Sequence, residues 1–161
     1  YSGDTKIAVV RYGNVVGSRG SILTLLAKQA ADGALHITHP DMTRFWITLP
    51  QSCEFVLRTI VAAEGGEVFI PKMPSTHIEE LCKTLYSDIP IIYAWMRHGE
   101  KMHEVLSCEY ETLEDIGWAY RIGPTRTPGN KPYCSLDCLI PAHELLQRDE
   151  YAMEVRRAAK A

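Results

Sequence analysis

Three stretches of this 161-residue chain gather groups that can do chemistry. The first is Arg11-Tyr12-Gly13-Asn14-Val15-Val16-Gly17-Ser18-Arg19-Gly20-Ser21. An apolar run feeds a glycine-rich turn that opens a helix. Exposed N–H groups and the positive helix end favour an anion there. Glycine also permits positive φ and close approach of a ligand. The spacing is Gly-x-x-x-Gly-x-x-Gly, not the Gly-x-Gly-x-x-Gly of a dinucleotide fingerprint. A plain strand–turn–helix corner therefore fits as well as a binding loop.

The second stretch is Ile37-Thr38-His39-Pro40-Asp41-Met42-Thr43-Arg44-Phe45-Trp46-Ile47-Thr48. Arg44, held between Thr43 and two aromatics, can offer a rigid fork of donors to a diphosphate or carboxylate. The alternative is a surface salt bridge. The third is Arg97-His98-Gly99-Glu100-Lys101-Met102-His103-Glu104, directly after an apolar strand. Open α/β sheets bind ligands at such strand ends. Arg97 suits phosphate, and Glu100 suits sugar or ribose hydroxyls. The alternative is a solvated charged turn.

Other chemistries are poorly supplied. Cys108, Cys134, Cys138, His98, His103 and His143 are zinc-ligand types, but no Cys-x-x-Cys pair exists. No Gly-x-Ser-x-Gly elbow occurs. Five cysteines, an odd number, with Cys53 and Cys82 in apolar helical patterns, read as buried thiols of a reduced, cytoplasmic protein.

The positioning elements follow from periodicity and caps. Lys6–Tyr12 reads as a buried strand. Ser21 can cap a helix carrying Ile22, Leu25, Leu26 and Gln29, ending near Gly33. Leu35–Thr38 is a short strand, and Arg44–Ile47 is extended or irregular. Thr48-Leu49-Pro50-Gln51 is a capping box for a helix carrying Phe55, Val56, Ile60 and Ala63. Val68–Ile70 is a second buried strand. Thr76-His77-Ile78-Glu79 is another capping box, before Ile78, Leu81, Cys82 and Leu85 on one face. Ile91–Trp95 is a strand. Glu100–Leu106 is a short helix or ordered loop, Gly123–Pro132 a loop, and Pro141–Ala159 a terminal helix with a fraying end. Alternating strands and helices predict an α/β fold with a largely parallel sheet.

Composition agrees with a globular class. Hydrophobic residues make up 46% and charged residues 23%, which excludes collagen-like and disordered classes. A net charge of −3 gives no overall electrostatic footprint for nucleic acid or an anionic membrane. No apolar run is long enough to span a bilayer.

The three stretches occur in the same order in inverting UDP-N-acetylglucosamine 4,6-dehydratases. These are extended short-chain dehydrogenases/reductases related to polysaccharide biosynthesis enzymes. The chain resembles the C-terminal part of that family, most closely from Val9 to about Leu106. His98 departs from the family's usual proline, and the match loosens after Gly117. The resemblance implies the end of an NAD(P)-binding Rossmann fold plus a small α/β substrate-binding subdomain. Residues 1–20 and 50–72 would belong to the Rossmann part, 21–49 and 73–122 to the substrate-binding part, and 123–161 to a C-terminal loop and helix.

The resemblance also implies roles. Tyr12, Gly13, Val15, Gly17, Ser18, Arg19, Gly20 and Ser21 would line the cofactor, NADP or NAD. Asn14, Arg44 and Arg97 would hold a UDP diphosphate, with Glu100 near the ribose. The whole enzyme would oxidise the sugar at C4, eliminate water and reduce C6 with inversion at C5. It would act on a UDP-sugar for bacterial surface glycans or flagellin glycosylation, as a homo-oligomer with no nucleic-acid or membrane partner. The family's catalytic Tyr-x-x-x-Lys precedes the strand at Lys6–Tyr12, and none of the eight tyrosines here has Lys four positions later. The chain is therefore expected to be a fragment without catalytic residues, inactive alone. Alternatives are a nucleotide-sugar epimerase, a membrane-anchored capsule-type dehydratase, or a non-catalytic nucleotide-sugar-binding module.

Overall fold

A computed structural model describes residues 3–123 and 133–158. It is a mixed α/β structure with two compact units. The first comprises residues 1–12, 50–72 and 105–134; the second comprises 13–49, 73–104 and 135–161. The chain passes from the first unit to the second after residue 12. The expected loop at 123–132 lies, apart from Gly123, outside the described residues.

In the first unit, β1 (Val9–Val10) lies parallel to β5 (Val68–Pro71), with Val9 opposite Val68. β9 (Ala119–Ile122) pairs antiparallel with β5, and β8 (Glu114–Asp115) closes a hairpin with β9. The order is β1-β5-β9-β8. The buried strand expected over Lys6–Tyr12 is thus two residues long, and Val9 is 48% exposed. Among the described residues, β1 is the end strand of this sheet and is paired on one side only.

Helix α2 (Leu49–Ala62) covers this sheet with Ser52, Phe55 and Thr59. Phe55 packs with Phe69 and Ala119 and sets the helix's rotation. That rotation corrects two expectations. Ile60, expected inside, is 68% exposed, and Cys53 is exposed rather than buried.

In the second unit, β4 (Thr43–Ile47) is central. It runs parallel to β2 (Asn14–Val15) and antiparallel to β6 (Ser75–His77). The segment expected to be extended or irregular is therefore a regular strand, and part of the expected glycine loop is its partner. A second pair is parallel: β3 (Leu35–Ile37) with β7 (Ile91–Tyr93). Helices α1 (Ile22–Ala31), α3 (Ile78–Leu85), α4 (Ala142–Gln147) and α5 (Asp149–Ala158) complete the unit. Leu26, Leu35, Trp46, Leu81, Leu145 and Tyr151 anchor its core. Cys82 is buried in that core, and burial pushes its thiol up to about 11.

Several local readings need correction. Ser21 sits at the N-cap of α1 but makes no side-chain cap bond. Thr76 does not cap α3; it lies in β6, and its hydroxyl accepts the Trp46 indole N–H at 3.0 Å. Strand pairing with β4 outweighs the local cap. β7 ends at Tyr93, so Trp95 leaves the sheet. Residues 100–106 form an ordered loop. The expected terminal helix is two helices, broken where Arg148 turns extended at ψ 115°. Its end is docked over the described residues: Tyr151, Val155 and Ala158 are buried, and the Tyr151 hydroxyl donates to the Trp46 carbonyl at 3.1 Å.

Candidate functional site

The second unit has a cavity of about 170 Å³ where the segment after β7 meets α1 and β3. Leu25 and Gln29 come from α1, His36 from β3, and Trp95, Arg97 and Glu100 from the segment after β7. Arg97 and Glu100 are joined by a tight turn. The Arg97 N–H donates to the Glu100 carboxylate at 3.1 Å, and the Glu100 N–H donates to the Arg97 carbonyl at 3.0 Å. Gly99 makes this turn possible with φ +83°. Arg97 is exposed, so its guanidinium is accessible to an anion.

Arg44 sits differently. Its side chain is 12% exposed, and its Nε lies 3.7 Å from the Glu104 carboxylate. It also donates to the carbonyls of Thr43, at 2.7 Å, and Met102, at 3.2 Å. It is not among the residues that line the cavity. Burial raises the Glu104 carboxyl above its ordinary value, against the opposing pull of Arg44. One Glu104 oxygen is buried without a hydrogen-bond partner.

Glu104 is fixed through its backbone by Ser135. Its N–H donates to the Ser135 hydroxyl at 2.9 Å, and the Ser135 N–H donates to its carbonyl at 2.8 Å. The Ser135 hydroxyl also meets Thr43 Oγ1 at 2.6 Å, and that oxygen reaches His103 Nδ1 at 2.8 Å. Ser75 donates to the Ser135 carbonyl. Sequence reasoning missed Ser135. A single serine far from both stretches it joins carries no local signal.

The glycine-rich stretch divides at the unit boundary. Tyr12 ends the first unit's segment, its ring edge-on to Phe55 at 6.5 Å. In the second unit Asn14 and Val15 are ladder residues opposite Trp46 and Ile47. Gly13 serves chain packing, because a Cβ there would lie 2.3 Å from that of Phe45. Gly17 and Gly20 both take positive φ, and nothing lies within 4 Å of a Cβ built on Gly20. Ser18 stays local, donating to the Val15 carbonyl at 2.9 Å. Arg19 is exposed, and the Ser21 hydroxyl is buried without a partner.

This arrangement can hold an anion at Arg97 and a polar ring or sugar in the adjoining cavity. Among the described residues, no three His, Cys, Asp or Glu side chains gather as a metal would require. No helix of these residues is long and apolar enough to cross a membrane.

The comparisons with known proteins follow the same lines. A family model described as polysaccharide biosynthesis protein matches residues 1–122, and the chain belongs to that family. It is 45% identical over 104 residues to an inverting UDP-N-acetylglucosamine 4,6-dehydratase of Campylobacter jejuni, covering 63% of this chain and 31% of that protein. It is 40% identical over 127 residues to a UDP-glucose 4-epimerase of Rickettsia akari, covering 74% of this chain and 37% of that protein. Among solved structures, Pen from Bacillus thuringiensis matches with TM-score 0.78 and 30% identity, over 91% of this chain and 50% of that one. The chain thus spans about a third to a half of the length of these relatives. The parallel pairings and the structural match define a Rossmann-like α/β fold.

Proposed function

We propose that this chain is the nucleotide-sugar-binding part of a UDP-N-acetylglucosamine 4,6-dehydratase. In that reading residues 1–20 and 50–72 serve the dinucleotide-binding part, and 21–49 and 73–122 serve the substrate part. The observation that carries it is the Arg97–Glu100 turn, an accessible cation and a carboxylate lining one cavity. A diphosphate needs cationic partners, and Arg supplies two parallel donors to it. Glu100 then accepts from ribose hydroxyls. Asn14 and Arg44 are assigned to the same diphosphate. For Arg44 that role requires the bound phosphate to compete with Glu104 for its guanidinium.

The glycine stretch fits one flank of a nicotinamide cofactor, NADP or NAD. The support is the buried, unpartnered Ser21 hydroxyl beside the open, positive-φ Gly20. When bound, such a group supplies reversible hydride transfer. Backbone from Gly13 to Val15 and the turn from Gly17 to Ser21 would hold it, and Arg97 and Glu100 would orient the substrate. Binding the nucleotide end positions the sugar, so remote contacts contribute to the reaction at the sugar carbons. A second reading, a nucleotide-sugar epimerase, is favoured by the longer match to the Rickettsia protein. It uses the same binding residues.

The test is calorimetry with UDP. Arg97→Ala should weaken UDP binding by about 10- to 100-fold, the loss of one charge-assisted contact. Arg97→Lys should recover part of it, because the fork is gone but the charge remains. Arg157→Ala, at an arginine 79% exposed in α5, is the control and should change nothing. Equal, small effects at both positions would reduce Arg97 to a solvated surface charge.

A further inference from the structure

Trp95 is 95% exposed, the extreme among the large hydrophobic side chains described. The other two tryptophans have clear packing partners. Trp46 is 1% exposed with its N–H bonded to Thr76, and Trp118 stacks on Phe69 with ring centroids 6.1 Å apart. A Trp left in water forgoes the burial that a large aromatic gains elsewhere. This one is not on a remote surface. It lines the same cavity as Arg97 and Glu100, two residues before the cation.

The cavity supplies what a flat polar ring needs besides a stacking face. Leu25 gives apolar wall, and Gln29 and His36 give polar edges. The Gln29 carbonyl oxygen already accepts the His36 N–H at 2.9 Å, which leaves the amide N–H pair to donate to a ligand. A ring bearing carbonyl acceptors suits those donors. An aromatic platform beside an accessible cation is the arrangement that binds a base joined to a phosphate.

We infer that Trp95 is the stacking platform for the nucleobase of the nucleoside diphosphate, and so sets preference for nucleotide over bare diphosphate. This rests on the assignment of Arg97 to the diphosphate. Stacking is independent of the charge contact, so the two can be separated by the choice of probe. UDP carries both base and diphosphate, and pyrophosphate carries only the latter. UDP also lacks the hexose, so an effect on UDP cannot arise from stacking on that sugar.

The experiment titrates the chain and its Trp95→Ala and Trp95→Phe variants with UDP and with pyrophosphate, by calorimetry and tryptophan fluorescence. UDP should quench the fluorescence of the unaltered chain. Trp95→Ala should bind UDP about tenfold or more weakly, with pyrophosphate affinity unchanged. Trp95→Phe should keep most of the UDP affinity while losing the quench. The same UDP affinity in Trp95→Ala, or an equal loss for UDP and pyrophosphate, overturns the inference but leaves Arg97 in place if Arg97→Ala still weakens pyrophosphate binding. Failure of the unaltered chain to bind pyrophosphate or UDP overturns both. The exposed position of Trp95 makes unfolding of the variants a minor concern, and circular dichroism checks it.

Discussion

Two long-range Arg–Glu pairs, Arg11–Glu111 in the first unit and Arg44–Glu104 in the second, differ in completeness. In the first unit Arg11 grips Glu111 with two parallel bonds of 2.8 Å and also donates to the Leu106 carbonyl at 3.0 Å. The Glu111 carboxylate further accepts the Cys108 N–H at 2.9 Å. In the second unit Arg44 and Glu104 approach only to 3.7 Å, and one Glu104 oxygen has no partner. The carboxyls respond in opposite directions. The Arg11 hydrogen bonds hold Glu111 down to about 2, whereas burial pushes Glu104 up. A saturated pair fastens the loop at Glu111 to the segment just after β1. An unsaturated pair leaves a guanidinium whose allegiance a phosphate can change, which is what the proposed role of Arg44 requires.

The largest expected effect comes from breaking the saturated pair. Arg11→Ala strands a carboxylate that is 11% exposed and should destabilise the chain by about 2–3 kcal/mol in denaturant unfolding, somewhat below a fully buried pair because Arg11 is 36% exposed. Arg44→Ala should cost less, about 1–2 kcal/mol, because Glu104 is already poorly matched and can take up a proton. Equal losses would erase the distinction between the two pairs.

The pH dependence sharpens it. Glu111 has its folded value lowered from 4.5 to about 2, so its stabilisation is present above about 4.5 and is lost as pH falls toward 2. With solvent reaching Arg11, that limb should amount to about 1–2 kcal/mol. Glu67, Glu79 and Asp115 are also lowered and act in the same direction. Glu111→Gln isolates its share by flattening the acid limb. Glu104 has the opposite sign. Its folded value is raised, so its contribution is fullest below 4.5 and falls as pH rises through the folded value. Glu104→Gln should remove that fall and change stability at neutral pH by well under 1 kcal/mol, the smallest effect of the set. Unfolding curves of both variants across pH 2–7 check the two signs together.

Much of this arrangement was legible in the chain, for reasons that differ by element. α3 shows its apolar face at helical spacing, and α2 announces itself with Pro50 in its first turn. The Arg97–Glu100 turn was legible because its parts are contiguous and follow a strand. β4 was less so, since four of its five residues are buried and no alternation marks it. The β8–β9 hairpin was hidden because its pairing with β5 joins residues about fifty positions apart. The rotation of α2 is set by Phe69 and Ala119, which lie outside the helix. The partner of Arg44 lies 60 residues away, and the Ser135 bridge lies further still. Local pattern specifies elements and contiguous turns, whereas these pairings are decided by long-range packing.

The central claim is that the turn after β7 holds a nucleoside diphosphate. A crystal structure of the chain with UDP tests it most directly. The account predicts the diphosphate on the Arg97 guanidinium, the ribose within hydrogen-bond reach of Glu100, and the cavity beside α1 filled by the base. UDP bound elsewhere, with the Arg97 guanidinium still in solvent, would contradict it.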